Sequence, residues 1–234
     1  MSEPTFPPLM SGLAVSGAVD PFSTACSKAE LGCEAGLVVH NVAVDRMGAA
    51  LVLAPEVRLE KAMAMLPLAG VGFQNALGAL APPEVAVHLG WNGEIRVNGA
   101  KCGRIRAAAH SEEPADTSEW LVVGFELALM AGSAPEGDAT EVTALYEEGC
   151  ADVDPTALLE SWSRHTLNWI SRWEDEGSAP LHAEWRGLVH GIGETTSFQD
   201  LEGTFLGIDE DFGMLLRDAD TTHLIPLTSL LEKT

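Results

Sequence analysis

Basic residues are scarce in this chain. Thirteen Lys+Arg stand against 35 Asp+Glu, a formal net charge of −22. A surface that negative repels phosphate backbones and anionic lipid headgroups, so neither nucleic acid nor a membrane surface is an expected partner. From residue 175 onward only Arg186, Arg217 and Lys233 are basic, which argues against a DNA-binding role for the C-terminal part. No stretch approaches the roughly 18 consecutive apolar residues of a membrane helix. Met1 to Pro8 shows no basic segment ahead of an apolar run, so no secretory signal is expected. The expected compartment is the cytoplasm. The four cysteines, Cys26, Cys33, Cys102 and Cys150, form no C-x-x-C pair. The 7 His form no H-E-x-x-H motif. No metal site is expected, and reduced thiols buried as small hydrophobes fit best. There is no P-loop and no G-x-S-x-G elbow.

What is present is an ordinary globular composition, 46% hydrophobic and 21% charged over 234 residues. That length suits one large domain, or one domain with a small companion. Residues 4–19, rich in Pro, Gly and Ser, read as an extended lead-in. Asp20-Pro21 has the form of an N-cap followed by Pro at the first helical position. A helix to about Leu31 follows, stopped by Gly32. Gly36 to His40 and Ala49 to Leu53 read as buried strands, joined by about ten residues, Val39 to Gly48. From Arg58 to Leu80, apolar residues recur at helical spacing, with a bend expected at Pro67; the Met residues there read as core filling.

Residues 85–109 carry the strongest local signal. Val85 to Leu89, Glu94 to Val97 and Lys101 to Ala109 read as strands, separated by Asn92-Gly93 and Asn98-Gly99. Asn-Gly between alternating runs marks a tight hairpin, because both residues tolerate positive φ. A three-stranded antiparallel meander is therefore expected. After a polar loop at 110–118, Trp120 to Leu127 reads as another buried strand, and residues 131–141 as a loop. Asp154-Pro155 opens a second helix, with an apolar stripe at Leu158, Leu159, Trp162, Thr166, Trp169, Ile170 and Trp173. Gly177 to Pro180 ends it and reads as a boundary. Beyond Trp185, short runs alternate with glycines, as in a small barrel.

Trp91-Asn92-Gly93-Glu94 followed by Asn98-Gly99-Ala100-Lys101-Cys102-Gly103 resembles the central hairpin of the biotin/lipoate protein ligase family. There, a Trp-Pro-Asn-Asp turn is followed, after one strand and one turn, by a lysine near a glycine. Ser23-Thr24, Gly36 to Val39, Val122 to Phe125 and Gly203 to Leu227 match further family segments in the right order. The resemblance implies an α+β fold. Residues 1–180 would form a mixed or antiparallel sheet with flanking helices, of the class II aminoacyl-tRNA synthetase and biotin protein ligase type. Residues 181–234 would form a small SH3-like β-barrel.

The resemblance also implies a chemistry. Biotin or lipoate is joined to ATP, with Mg, as an acyl-adenylate, and the acyl group passes to a lysine on a biotinyl or lipoyl carrier domain. No tightly bound cofactor is implied, and the family admits a homodimer. Two anions must meet in such a site, and an ammonium fixed on a rigid strand lowers their repulsion. Lys101 is the catalytic candidate on this basis. Trp91, Asn92, Gly93, Gly103, Arg46 and Gly124 are the ligand-binding candidates, Trp91 as a wall for an apolar ring or as core.

The chain departs from the family at several points. The Gly- and Arg-rich loop expected between the first two core strands is missing, with Arg46 the one basic residue there. Glu126 stands where an Asn is usual, and Ala25 where the first helix usually has Asn. Strict alternation puts Lys101, Gly103 and Ile105 on one face of their strand and Cys102, Arg104 and Arg106 on the other, unless a bulge intervenes. Two readings follow: a ligase-like enzyme acting through Lys101, or a non-catalytic descendant that binds a small carboxylic acid or a carrier protein. A transferase without ATP, using Lys101 with Cys102 or Cys150, is a variant of the first.

Overall fold

The computed structural model describes residues 3–133 and 141–233. Most of the loop expected at 131–141 lies outside those residues. Seven strands form one mixed sheet in the order β1-β2-β3-β7-β6-β5-β4. They are β1 (Ser11–Ala14), β2 (Leu37–Val42), β3 (Arg46–Leu53), β4 (Val87–Leu89), β5 (Glu94–Val97), β6 (Ala100–Ala109) and β7 (Leu121–Ala128). Only β1, drawn from the lead-in, runs parallel to its neighbour; the other pairs are antiparallel.

One face of the sheet is covered by α3 (Met65–Gly78), on which α4 (Pro155–Glu176) packs. Its centre is aromatic. Phe125 lies 5.4 Å from Phe73 and 5.0 Å from Trp162, ring centre to ring centre. The long helix expected over 58–80 is two pieces, α2 (Leu59–Ala62) and α3, parted at Met63 and Ala64. Pro67 does not bend it. It stands in the first turn of α3, where backbone N–H groups have no partner within the helix.

The opposite face is covered only in part, by α1 (Pro21–Glu30). Asp20 caps this helix by accepting from the Phe22 N–H at 3.0 Å. Phe22, Ala25, Cys26 and Ala29 pack on Val39, Ala50, Val52, Ala108 and Val122. The small residues on both sides let the helix lie close to the sheet. Beyond the N-terminus of α1 this sheet face is uncovered, and there the cavity described below opens.

After α4, Gly177 takes φ 76° and α5 (Ser178–Leu188) begins at once. Leu181 and Trp185 of α5 are buried. Four antiparallel strands follow, β8 (Thr195–Phe198), β9 (Leu201–Ile208), β10 (Met214–Arg217) and β11 (Thr222–Ile225), in the order β11-β10-β9-β8. They form an open sheet, with β8 and β11 as its edge strands, consistent with the small SH3-like module expected. Among the described residues no helix is long and apolar enough to cross a membrane.

Candidate functional site

The β5–β6 hairpin sets the direction of Lys101. Asn98 and Gly99 both take positive φ, 50° and 93°, giving the two-residue turn the sequence implies. The turn at Asn92-Gly93 differs. Only Gly93 has positive φ, 89°, and the loop runs over three residues closed by Gly90 and Glu94. Lys101 is paired with Arg96, but Gly103 with Ile95, so Cys102 is an extra residue on β6. This is a β-bulge, and it resets the alternation. Cys102, Ile105 and Ala107 all enter the core under α3. Lys101 therefore shares the other face with Arg104 and Arg106, contrary to strict alternation.

That face forms the floor of a cavity of about 590 Å³. Its lining includes Lys101, Gly103 and Arg104 from β6, Glu126 from β7, Arg46 and Gly48 from β3, and Asp20. Segment 17–20 is one wall. It is tied down by the Asn41 side-chain amide, which donates to the carbonyls of Gly17 and Val19 at 3.2 and 3.0 Å.

The floor is charged. The Lys101 side chain is 30% exposed and lies 3.4 Å from Glu94, which also pairs with Arg96 at 3.2 Å. Arg104 Nε donates to Glu126 at 2.6 Å. Arg106 is held by Asp20 at 2.8 Å and by Glu232 at 2.7 Å, with its guanidinium 4.1 Å above the Phe22 ring. Burial raises the Asp20 pKa, but hydrogen bonds from Arg106, Ser23 and Phe22 outweigh it, and the carboxyl ends below its ordinary value. Five of the chain's 13 basic residues, Arg46, Arg96, Lys101, Arg104 and Arg106, gather on this one sheet face. Five acidic residues, Asp20, Asp45, Glu94, Glu126 and Glu232, pair with them, so this face is close to neutral in a protein of net charge −22 and repels an anion less than the rest of the surface does.

The sequence candidates are thus divided. Lys101, Gly103 and Arg46 line the cavity together. Trp91, Asn92 and Gly93 lie outside it. β5 is only four residues long and antiparallel to β6, so it carries this turn beside Ile105, away from the Asn98-Gly99 end where Lys101 stands. Trp91 is buried, its indole N–H donating to the Phe212 carbonyl at 2.8 Å and its ring meeting Phe198 edge-on. Gly124 also lies outside the cavity. A Cβ there would sit 2.5 Å from the Ala49 carbonyl oxygen and 2.9 Å from Ala50 Cα. Gly124→Val should therefore force β3 and β7 apart and cost about 1–3 kcal/mol, read from the urea midpoint.

Asp20, Asn41, Arg104, Arg106 and Glu232 join the site unforeseen. Asp20 gave only a capping signal, and the arginines were turned away by alternation. The connection between β2 and β3 is also shorter than the ten residues expected. It is the turn Ala43–Asp45, closed by the Ala43 N–H donating to the Arg46 carbonyl at 2.9 Å. The cysteines offer no ready nucleophile. Burial pushes the Cys102 thiol up to about 12 and raises that of Cys150.

A seven-stranded mixed sheet between helices, open at one face beside a helix N-terminus and followed by a small β-module, defines a biotin protein ligase type of fold. Residues 6–187 match the sequence profile of the Biotin/lipoate A/B protein ligase family, and the chain belongs to that family. Residues 192–233 match a family described as a domain of unknown function. The crystal structure of a biotin protein ligase-like protein of unknown function from Silicibacter sp. is 60% identical, with a TM-score of 0.93 over 99% of this chain and 100% of that one. The biotin protein ligase from Aquifex aeolicus in complex with biotin and ATP is 14% identical, with a TM-score of 0.72 over 92% of this chain and 95% of that one. The Leishmania major enzyme in complex with biotinyl-5-AMP is 15% identical, with a TM-score of 0.60 over 94% and 99%. These two show likeness of fold. A search of curated proteins finds no match.

Proposed function

We propose that this protein binds a small organic carboxylic acid in the cavity over β3, β7 and β6, with the Lys101 ammonium as the anchor for the carboxylate and Arg46 and Gly103 beside it. The single observation that carries this reading is the bulge at Cys102, which turns Lys101 onto the open face of the sheet, where it lines the cavity with Arg46. Lys101 offers three N–H donors and is ion-paired with Glu94 at 3.4 Å, so a ligand carboxylate can share the ammonium without displacing Glu94.

Binding without adenylation is the favoured form. A nucleotide triphosphate needs backbone N–H groups and cations arranged around its phosphates. The turn Ala43–Asp45 supplies three residues where such a loop would stand, and Arg46 is the cation beside it. The second reading is ATP-dependent ligation of biotin or lipoate, with Mg, and transfer to a lysine of a carrier domain. Membership of the family and a lysine at the cavity favour it, and relatives of this fold are known with biotin and ATP bound.

Calorimetric titration of biotin, lipoate, octanoate and hexanoate, with and without Mg-ATP, tests both. Binding of at least one acid that is indifferent to ATP, and at least tenfold weaker in Lys101→Ala (about 1.4 kcal/mol), is the expected result. Binding that requires ATP would move the assignment to the ligase. A wild-type protein that takes up no carboxylate at millimolar concentration would end both readings.

A further inference from the structure

Charge along the cavity floor changes sign. At one end Lys101 and Arg46 line the cavity, with their partners Glu94 and Asp45 outside the lining and Glu94 shared with Arg96. Arg46 and Lys101 belong to this end because the ladder sets Arg46 opposite Ala128, one step beyond the Gly103–Leu127 pair. At the other end Arg104, Glu126 and Asp20 line it, an excess of one negative charge, while Arg106 and Glu232 pair with each other and with these residues outside the lining. Glu126 and Asp20 both line the cavity. Arg104 and Glu126 are each 48% exposed.

An apolar tail running from Lys101 would have to cover that half-exposed ion pair and strip its water, with no hydrogen bond in return. A ligand whose far end is itself positive meets the excess carboxylate instead. From the binding reading above, on which this inference rests, we infer that the ligand is an extended zwitterion. Its carboxylate lies at Lys101 and Arg46, and its ammonium over Glu126 and Asp20. The two ends of the floor are two to three strand residues apart, about 7–10 Å at ~3.3 Å per residue. An ω-amino acid matches that span, whether free or as the end of a larger molecule.

The full chain is titrated with 6-aminohexanoate and with hexanoate, which differ only in the terminal ammonium. The expected result is at least tenfold tighter binding of 6-aminohexanoate, with the gap closing in Glu126→Gln. 6-Acetamidohexanoate, which is neutral at that end, should bind wild type like hexanoate. This measurement does not depend on the variant folding. Hexanoate binding as tightly as 6-aminohexanoate overturns the zwitterion and leaves the acid-binding reading standing. A preference for 6-aminohexanoate that persists in a folded Glu126→Gln overturns the place given to the ammonium. If wild type binds neither compound, this inference falls; the reading beneath it falls as well only if biotin, lipoate and octanoate also fail to bind.

Discussion

Trp162→Ala should lower the unfolding free energy by about 3–5 kcal/mol, the range for removing a fully buried large aromatic. Trp162 is 0% exposed. It stands on α4, meets Phe125 edge-on at 5.0 Å, and donates its indole N–H to the Ala69 carbonyl of α3 at 3.1 Å. One side chain thus joins two helices to the central strand β7. Truncation removes the ring, opens a void at the junction and leaves the Ala69 carbonyl without that donor. The void cannot close easily. α3 and α4 are already in close approach at Gly72, where a Cβ would lie 2.6 Å from the Thr166 hydroxyl. In a chain of this length the loss corresponds to a fall in Tm on the order of 10 °C. Trp162→Phe keeps most of the packing and loses the hydrogen bond, so it should cost about 1–2 kcal/mol. Urea unfolding of the two variants separates these contributions, and equal losses would contradict the account. Phe125 precedes Glu126 on β7, so loosening this contact also loosens the floor of the cavity.

The features legible in the sequence were those made by residues close to one another in the chain. Asp20-Pro21 and Asp154-Pro155 both start helices as expected, because an N-cap needs only the side chain and the next two or three N–H groups. Asn98-Gly99 fixed a hairpin because φ at two adjacent residues decides it. The open α5 segment, Ser178–Leu188, was missed because Gly177 and Pro180 look like punctuation, although Pro is tolerated in a first turn. What composes the cavity is mostly non-local. The bulge at Cys102 depends on how β6 pairs with β5, and the extra residue carries no signature of its own. A strict period of two then places Arg104 and Arg106 away from Lys101, the reverse of what the ladder does. Glu232 is 126 residues from Arg106, and nothing near either residue announces the contact. Family resemblance pointed to both Lys101 and Trp91; the first lines the cavity, while the second packs on Phe212 and Phe198 of the C-terminal part.

Arg106→Ala should be the most damaging change on the cavity face, at about 2–3 kcal/mol. Arg106 is 12% exposed, Asp20 37% and Glu232 34% by side chain. Removing one partner of a fully buried ion pair costs about 3–5 kcal/mol because the other charge is left uncompensated. The two carboxylates here keep a third of their access to water, which reduces the cost. Arg106 also covers Phe22 with its guanidinium at 4.1 Å, so packing is lost along with charge. The effect should reach two distant segments. Asp20 caps α1 and walls the cavity, and Glu232 fastens the C-terminal segment to β6 through its N–H on the Ala107 carbonyl at 2.9 Å. Hydrogen exchange in both segments should quicken together in the variant.

The pH dependence has a definite sign. Asp20 has a folded pKa below its ordinary 3.8, so its contribution is fully present above that value and is lost as pH falls through the folded pKa. Without Arg106 the chief cause of the lowering is gone and only burial, the helix cap and Ser23 remain. The stability gap between wild type and Arg106→Ala should therefore be widest near neutral pH and narrow below about pH 4, as measured by urea midpoints at each pH. A gap that widened in acid would mean that Arg106 acts mainly through its contact with Phe22, and that the carboxylates around it contribute little to holding the cavity wall in place.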